Sequence, residues 1–178
     1  RLFQRENAVA ALAALSVLGI KYDVGRLARV VWPGRFQKVG DVIVDGAHNP
    51  AGAKALADSL GGGAFALVAG FCADKDVGEV LREFSRFAEK GFAVAIKNER
   101  SLPARETAEM MNRAGIESTS CVSVSEAIES ARRTGLPVVV SGSLFLVGEA
   151  LLILDAYPWP ELLVETGVNE IDESEKMA

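Results

Sequence analysis

Six consecutive residues, Asp45 to Pro50, bring together the side chains of this chain that are best suited to chemistry. They include an acid, Asp45, and the only histidine, His48. The apolar run 42–44 precedes them and the alanine-rich stretch 51–60 follows, an order that predicts strand, tight turn and helix. Helix N-termini attract anions, and α/β sheets bind ligands beyond the carboxyl ends of their strands. We therefore expect the chemistry at this turn.

The members of this turn differ in how well structure alone explains them. Asn49 and Pro50 suit an N-cap and the first position of a helix, which is sufficient reason for their presence. Asp45 lies where a carboxylate can accept two hydrogen bonds from a ribose diol. A single histidine is more often a packed core residue or an exposed surface residue than a catalyst. A structural role and a catalytic role therefore both stay open for His48.

Further polar segments follow other predicted strands and would reach the same edge of the sheet. Lys75 offers a compact cation for a carboxylate or phosphate, whereas Asp76 beside it is typical of an N-cap. Ser141 and Ser143 offer hydroxyl and backbone donors to an anion, or simply form a glycine turn and an N-cap. Arg35 follows a rigid Trp-Pro-Gly turn, from which it could reach across a domain interface to a phosphate.

Short β-type runs alternate with amphipathic helical runs along most of the chain. This alternation predicts an α/β fold, with a mostly parallel sheet covered by helices. The predicted strands are 42–44, 66–71, 92–96, 118–122 and 138–141. The predicted later helices run from Asp76 to Gly91, from the start formed by Ser101 and Pro103 towards Gly115, from Ser123 or Ser125 to Gly135, and from about Ser143 to Ala156.

The N-terminal residues do not follow this alternation, because 4–18 and 23–31 both have a helical pattern with no strand between them. Trp32-Pro33-Gly34 then interrupts the pattern, and we expect a boundary there. The start at Arg1, with no methionine, favours a truncated protein. The expected parts are the end of a preceding domain at 1–32, a complete α/β domain at 33–160 and an acidic, solvated tail at 161–178.

Composition excludes several classes of protein. Apolar residues make up 49% and charged residues 24% of the 178 residues, as in an ordinary globular protein. The net charge of −5 argues against nucleic-acid binding, and no run approaches the roughly 20 apolar residues of a membrane span. Neither a Gly-x4-Gly-Lys-Ser/Thr loop nor a Gly-x-Ser-x-Gly elbow occurs. We expect a cytoplasmic monomer in which Cys72 and Cys121 are reduced, buried thiols.

Taken together, the motifs resemble the C-terminal part of the folylpolyglutamate synthase family, including its bifunctional dihydrofolate synthase form. They occur in the family's order and cover about residues 1–150. More distantly, the pattern resembles the Mur peptide ligases of cell-wall synthesis. The matching segments are Gln4-x-x-Asn7-Ala8, Trp32-Pro33-Gly34-Arg35-Phe36, Asp45-Gly46-Ala47-His48-Asn49-Pro50, Asp74-Lys75-Asp76 and Ser141-Gly142-Ser143-Leu144-Phe145-Leu146-Val147-Gly148.

The resemblance implies a Rossmann-like C-terminal domain of an ATP-dependent amide ligase. In that chemistry ATP phosphorylates the carboxylate of a pteroate or folate, the amine of L-glutamate attacks the acyl phosphate, and ADP and phosphate leave. The P-loop, the Mg²⁺ ligands and a modified lysine of the family belong to an N-terminal domain that is not part of this sequence. Residues 1–32 would be the end of the central ATPase domain, and no metal ligand is expected here. We expect negligible ligase activity from these 178 residues alone.

The resemblance also implies roles for individual residues around the nucleotide. Asn7 would contact adenine, Asp45 the ribose and Arg35 the outer phosphates, while His48 would line the cleft near the transferring group. One departure is Phe3, where the family usually has histidine. An adenine contact from that histidine would be lost or replaced.

For the amino-acid substrate, the resemblance implies that Lys75, Ser141 and Ser143 lie where the glutamate carboxylates bind. Lys75 and His48 are then the expected catalytic residues. Two other functions stay open from the sequence, a Mur-type peptide ligase and a non-catalytic nucleotide-sensing domain.

Overall fold

A computed structural model describes residues 2–27 and 32–157, with side chains described from residue 7 to 25 and from 32 onwards. The chain divides into two compact units between Trp32 and Pro33. The first unit contains α1 (Leu2–Val17) and α2 (Val24–Leu27), in agreement with the predicted pair of consecutive helices. The predicted acidic tail and the end of the second predicted helix lie outside the described residues.

The second unit is built on a six-stranded sheet with the strand order β1-β2-β6-β3-β4-β5. Only β1 runs antiparallel to its neighbour, β2, while β2, β6, β3, β4 and β5 run parallel to one another. The strands are β1 (Gln37–Val39), β2 (Val42–Val44), β3 (Phe65–Ala69), β4 (Ala88–Ala93), β5 (Glu117–Ser120) and β6 (Val138–Ser141). The helices are α3 (Pro50–Leu60), α4 (Val77–Phe84), α5 (Ala104–Arg113), α6 (Val124–Arg133) and α7 (Leu144–Ile153).

The core lies in two layers, one on each face of this sheet. Val140 of β6 belongs to the layer that also contains Ile128 of α6 and Leu146 of α7. Val139, which points to the opposite face because strand side chains alternate, belongs to the layer that contains side chains of α3, α4 and α5. Burial on both faces explains why the central strands β2, β3 and β6 are almost continuous apolar runs. The predicted α/β, mostly parallel fold with helices on both faces is confirmed.

The predicted long helix from Asp76 to Gly91 is wrong at its C-terminal end. The helix begins as predicted, with Asp76 accepting a hydrogen bond from the Glu79 backbone, but it ends at Phe84. Residues 88–93 form β4 instead. Gly91 is required there, because an added Cβ would lie 2.4 Å from Met111 Cε and 2.7 Å from Ser118 Cβ. Packing against distant residues therefore makes residues 88–93 a strand, and a helical period in the sequence carries no information about such packing.

Two smaller features also differ from the sequence prediction. The edge strand β1 was not predicted, since Gln37-Lys38-Val39 is not an apolar run and is too short to show a period of two. Ser101 does not cap α5; its hydroxyl instead accepts a hydrogen bond from the Ile96 backbone at 2.8 Å. The predicted caps Ser123 and Ser143 are both present, at the starts of α6 and α7.

Candidate functional site

The turn from Asp45 to Pro50 connects the end of β2 to the start of α3. The Asp45 N–H donates to the Val140 carbonyl at 3.0 Å, which extends the pairing of β2 with β6 by one residue. Asn49 Oδ1 accepts from the Gly52 N–H at 2.8 Å, and Pro50 is the first helical residue. Asn49 and Pro50 therefore start the helix, as their residue types predicted.

The Asp45 carboxylate is buried at the base of this turn, with 5% of the residue exposed. Its Oδ1 accepts from the Ala47 N–H at 2.9 Å and its Oδ2 accepts from the Phe36 N–H at 2.7 Å. Burial raises the pKa of Asp45, and these two backbone donors and the charge of Arg35 partly oppose the shift. The carboxylate thus joins the turn to the loop that carries Arg35.

The Arg35 loop, the Asp45–Pro50 turn and α7 pack closely together because glycines lie at their contacts, Gly34 in the loop and Gly46 in the turn. The Gly46 N–H donates to the Gly34 carbonyl at 2.8 Å. A Cβ on Gly34 would lie 2.4 Å from Val147 Cγ1, and one on Gly46 would lie 2.4 Å from Leu144 Cδ2. The Arg35 side chain between these contacts is exposed to solvent.

A cleft of about 160 Å³ lies at the carboxyl edge of the sheet and is lined in part by His48 of the same turn. It brings together three of the predicted site residues, His48, Lys75 and Ser143. A water occupies roughly 30 Å³ in the liquid, so the cleft suits a small ligand. The remaining lining residues are Cys72, Arg100, Gly142, Leu144 and Phe145. Arg35, Asp45 and Ser141 do not line it.

His48 is held in a defined orientation within the cleft. Its Nδ1 lies 2.8 Å from the Gly46 carbonyl oxygen. Because a carbonyl only accepts, this contact assigns the proton to Nδ1, and the neutral ring then has Nε2 as its acceptor. His48 can therefore present Nε2 to a ligand without changing its backbone contact.

Two cations of the cleft meet on a single carboxylate. Lys75 Nζ lies 3.2 Å from Asp74 Oδ2, and Arg100 Nη1 lies 3.1 Å from the same oxygen. The hydrogen bond from Lys75 is the main reason that the pKa of Asp74 is lowered, with a further contribution from the charge of Arg100. The three side chains together carry one net positive charge, which suits an anionic ligand.

Arg100 is a functional candidate that the sequence analysis missed. It lies in the segment after β4, at the sheet edge where Lys75 follows β3. A cation after a strand is the same signal that identified Lys75, and it could have identified Arg100 as well. Arg100 also joins the two segments directly, since the Ala73 N–H donates to its carbonyl at 2.8 Å.

The two predicted serines have different environments. Ser141 is fully buried, and its hydroxyl donates to the Ala47 carbonyl at 3.3 Å. Ser143 caps α7 by accepting from the Phe145 N–H at 3.1 Å and also lines the cleft. The Gly142 N–H, between them, donates to the same Ala47 carbonyl at 3.0 Å. This segment therefore holds the turn next to His48 in place.

The remaining expectations concern adenine, metals and membranes. Asn7 lies on α1, in the first unit, and is exposed, while the Gln4 and Phe3 side chains are outside the description. Among the described residues, no group of three or more His, Cys, Asp or Glu side chains could hold a metal ion. Cys72 and Cys121 are buried, free thiols, as predicted. Within the same part of the chain, no helix is long and apolar enough to cross a membrane.

Comparison with solved structures gives close matches. The chain superposes on the Mycobacterium tuberculosis folylpolyglutamate synthase complexed with ADP, with a TM-score of 0.75 and 26% identity, over 85% of this chain and 40% of that one. It also matches E. coli FolC in complex with DHPP and ADP, with a TM-score of 0.74 and 27% identity, over 84% of this chain and 39% of that one.

Curated relatives and a family model agree with these matches. A probable bifunctional folylpolyglutamate synthase/dihydropteroate synthase of Halobacterium salinarum is 32% identical over 187 residues, 96% of this chain and 22% of the relative. A probable dihydrofolate synthetase of Schizosaccharomyces pombe is 25% identical over 173 residues, 83% of this chain and 42% of the relative. The chain thus spans less than half the length of either relative. Residues 34–144 match the model described as "Mur ligase, glutamate ligase domain". The chain belongs to the Mur ligase family and contains its glutamate ligase domain.

Proposed function

We propose that the chain is the C-terminal domain of an ATP-dependent, ADP-forming ligase that adds L-glutamate to a folate or to dihydropteroate. The observation that carries this proposal is the cleft in which His48, Lys75, Arg100 and Ser143 converge. Its two cations and small volume suit an amino acid with two carboxylates. The similarity to folylpolyglutamate synthases complexed with ADP supports a nucleotide as the second ligand.

The reaction that we propose proceeds through an acyl phosphate. The γ-phosphoryl group of ATP passes to a carboxylate oxygen of the pteroate or folate, and ADP leaves. The amine of L-glutamate then forms the new C–N bond, and phosphate leaves with the carboxylate oxygen that it had acquired. Such a route needs positioning and charge neutralisation more than a nucleophilic side chain. A site with one histidine and two cations is adequate for this chemistry.

On the amino-acid side, Lys75 and Arg100 would neutralise the glutamate carboxylates. Asp74 keeps the two cations within 3.2 Å of a common oxygen, so their separation is preset before the substrate binds. Ser143 would add a donor at the start of α7, where the helix end also favours anions. Ser141, which is buried against the Ala47 carbonyl, would act by supporting this segment.

On the nucleotide side, we propose that Asn7 contacts adenine, Asp45 the ribose and Arg35 the outer phosphates. His48 would lie near the transferring group and offer Nε2, since Nδ1 is engaged by Gly46. Mg²⁺ would be bound by residues of a preceding domain, because the described residues offer no cluster of suitable ligands. The contribution of this chain is therefore to orient ATP and glutamate.

We propose further that residues 1–32 are the end of a central ATPase domain and that 33–160 form the ligase domain, followed by an acidic tail. The division between Trp32 and Pro33 supports this assignment. So does the exposure of apolar side chains in the first unit, where Val17 is 86% exposed. The preceding domain would be the main partner of this chain, in a cytoplasmic monomer.

The test is an assay of the full-length protein with ATP and L-glutamate. Dihydropteroate, tetrahydrofolate and a UDP-linked muramyl substrate are supplied in turn, and ADP formation is measured. We expect ADP only with the first two, and none from residues 1–178 alone. ADP formation with the muramyl substrate would instead identify a peptide ligase, for which the family match is the supporting observation.

A non-catalytic nucleotide-sensing domain makes a different prediction. In that case Asp45→Ala and Lys75→Ala in the full-length protein would leave turnover unchanged. We expect both to reduce turnover by at least tenfold, since each removes a charge that a substrate is proposed to meet. Unchanged turnover in both variants would exclude the proposed roles of these residues.

A further inference from the structure

We infer that Asp45 is a positioning residue for Arg35: its carboxylate fixes the left-handed backbone of Phe36 and thereby the loop from which the Arg35 side chain extends. The inference rests on the proposed function, in which Arg35 meets the outer phosphates of ATP. It assigns to Asp45 a role that does not depend on the ribose.

The first observation is the backbone of Phe36, which has φ of +49°. Among the described residues, only Asp155 is another non-glycine with positive φ. For a bulky residue this conformation is unfavourable, and it persists only where the surroundings hold it in place. The Phe36 side chain packs against the core, so the residue is anchored on its apolar side as well.

The second observation is that two hydrogen bonds enclose Arg35. Immediately before it, the Gly34 carbonyl accepts from the Gly46 N–H at 2.8 Å. Immediately after it, the Phe36 N–H donates to Asp45 Oδ2 at 2.7 Å. Both partners belong to the Asp45–Gly46 turn, so this turn determines the direction in which Arg35 leaves the loop.

The third observation concerns the other oxygen of the same carboxylate. Asp45 Oδ1 accepts from the Ala47 N–H at 2.9 Å, next to His48. One buried carboxylate therefore holds the Arg35 loop with one oxygen and the His48 turn with the other. An ionised carboxylate can accept at both oxygens, whereas an asparagine amide has one acceptor oxygen for the two N–H donors.

Asp45 could affect ATP binding in two ways. A direct ribose contact requires the ribose hydroxyls, whereas positioning of Arg35 does not. We would measure KM for ATP and for 2′,3′-dideoxy-ATP in the full-length protein and in its Asp45→Asn variant. We expect the substitution to raise KM for 2′,3′-dideoxy-ATP by about tenfold, as for loss of one charged hydrogen bond to phosphate, and KM for ATP by at least as much, with KM for glutamate unchanged. A rise with ATP but not with 2′,3′-dideoxy-ATP would overturn the inference.

A matched pair of substitutions tests the role of the Phe36 backbone. Phe36→Gly and Phe36→Ala both remove the ring, but only glycine adopts positive φ without strain. In the Asp45→Asn background, we expect Phe36→Gly to lower KM for ATP several-fold towards the wild-type value. Phe36→Ala should give no such decrease. In the unsubstituted background, Phe36→Ala should raise KM for ATP more than Phe36→Gly. Equal behaviour of the glycine and alanine variants would contradict the inference, even if Asp45→Asn did not fold.

These outcomes are distinct from failure of the proposed function. A wild-type protein without glutamate-dependent ADP formation would refute the proposed function itself. If the wild-type protein is active but Asp45→Asn raises KM only for ATP and not for 2′,3′-dideoxy-ATP, only the positioning role is refuted.

Discussion

Arg100 reaches from the segment after β4 to Asp74, in the segment after β3, and its Nη1 lies 3.1 Å from Asp74 Oδ2. The two residues are 26 positions apart in sequence and meet only because adjacent parallel strands end at the same edge of the sheet. Lys75 contacts the same carboxylate oxygen. The Asp74–Arg100 contact therefore places Arg100 beside Lys75, so that the cleft has two neighbouring cations.

The first prediction is that Arg100→Ala in the full-length protein raises KM for glutamate, the amino acid of the proposed reaction, by roughly tenfold to a hundredfold. That range corresponds to the loss of one charged hydrogen bond to a carboxylate. KM for ATP should change little. Arg105→Ala is a matched control, because Arg105 pairs with Glu109 on the surface of α5. An equal change in both KM values would contradict a role for Arg100 in binding the amino acid.

The second prediction concerns the sheet. Gly91→Ala should lower the free energy of unfolding by about 1–3 kcal/mol, because the new methyl group overpacks the contact of β4 with α5 and β5. Urea denaturation of the 178-residue chain measures this change. Gly148→Ala is the control, since nothing lies within 4 Å of its added Cβ and alanine favours the helix. A neutral Gly91→Ala would show that the sheet yields at this point.

The third prediction concerns the ion pair between Asp41 and Arg132. Arg132 Nη2 donates to Asp41 Oδ1 at 2.9 Å, and Arg132 Nε donates to Asp41 Oδ2 at 3.0 Å. The hydrogen bond from Arg132 lowers the pKa of Asp41 below its ordinary 3.8. The ionised Asp41 carboxylate therefore stabilises the folded chain above pH 3.8, and this contribution is lost as the pH falls through the lower pKa of Asp41 in the folded state. Because the pair is solvent-exposed, Asp41→Asn should cost only about 0.2–1 kcal/mol at pH 7.

The difference in unfolding free energy between wild type and Asp41→Asn should decrease as the pH is lowered. Denaturant titrations at a series of pH values between neutrality and pH 3 measure it. A difference that stays constant over this range would show that the ionised form of Asp41 is not what stabilises the fold.

The fourth prediction concerns Cys121, whose buried position raises the pKa of its thiol to about 11, with a smaller contribution from the charge of Glu126. At pH 8 the thiolate fraction is then on the order of one in a thousand, and the thiolate is the reactive form. Cys121 should therefore resist a disulfide reagent until denaturant is added. The Cys121→Ser variant identifies which thiol reacts. Rapid labelling of Cys121 in the folded chain would contradict this prediction.

Local chemistry was sufficient to predict the fold class and to place three of the predicted residues at one cleft. Asn49, Asp76, Ser123 and Ser143 cap helices where their types indicated, because a cap depends on hydrogen bonds within a few residues. The turn at Asp45 lies at the carboxyl edge of the sheet for a similar reason, since an apolar run followed by a capped helix leaves few alternatives. The sequence by itself thus determined the order of elements from β2 onwards and the location of His48, Lys75 and Ser143 at one edge.

Tertiary structure decided the features that depend on contacts between distant residues. Whether Gly91 ends a helix or lies in a strand depends on Met111 and Ser118, which no local pattern reports. Arg100 becomes part of the cleft only through the register of β4 against β3. Asp45 was expected to bind a ligand, but only the folded chain brings the Phe36 N–H to its carboxylate. Periodicity and capping specify where elements begin and which face is buried, whereas partners across the sheet are selected by packing of the whole domain.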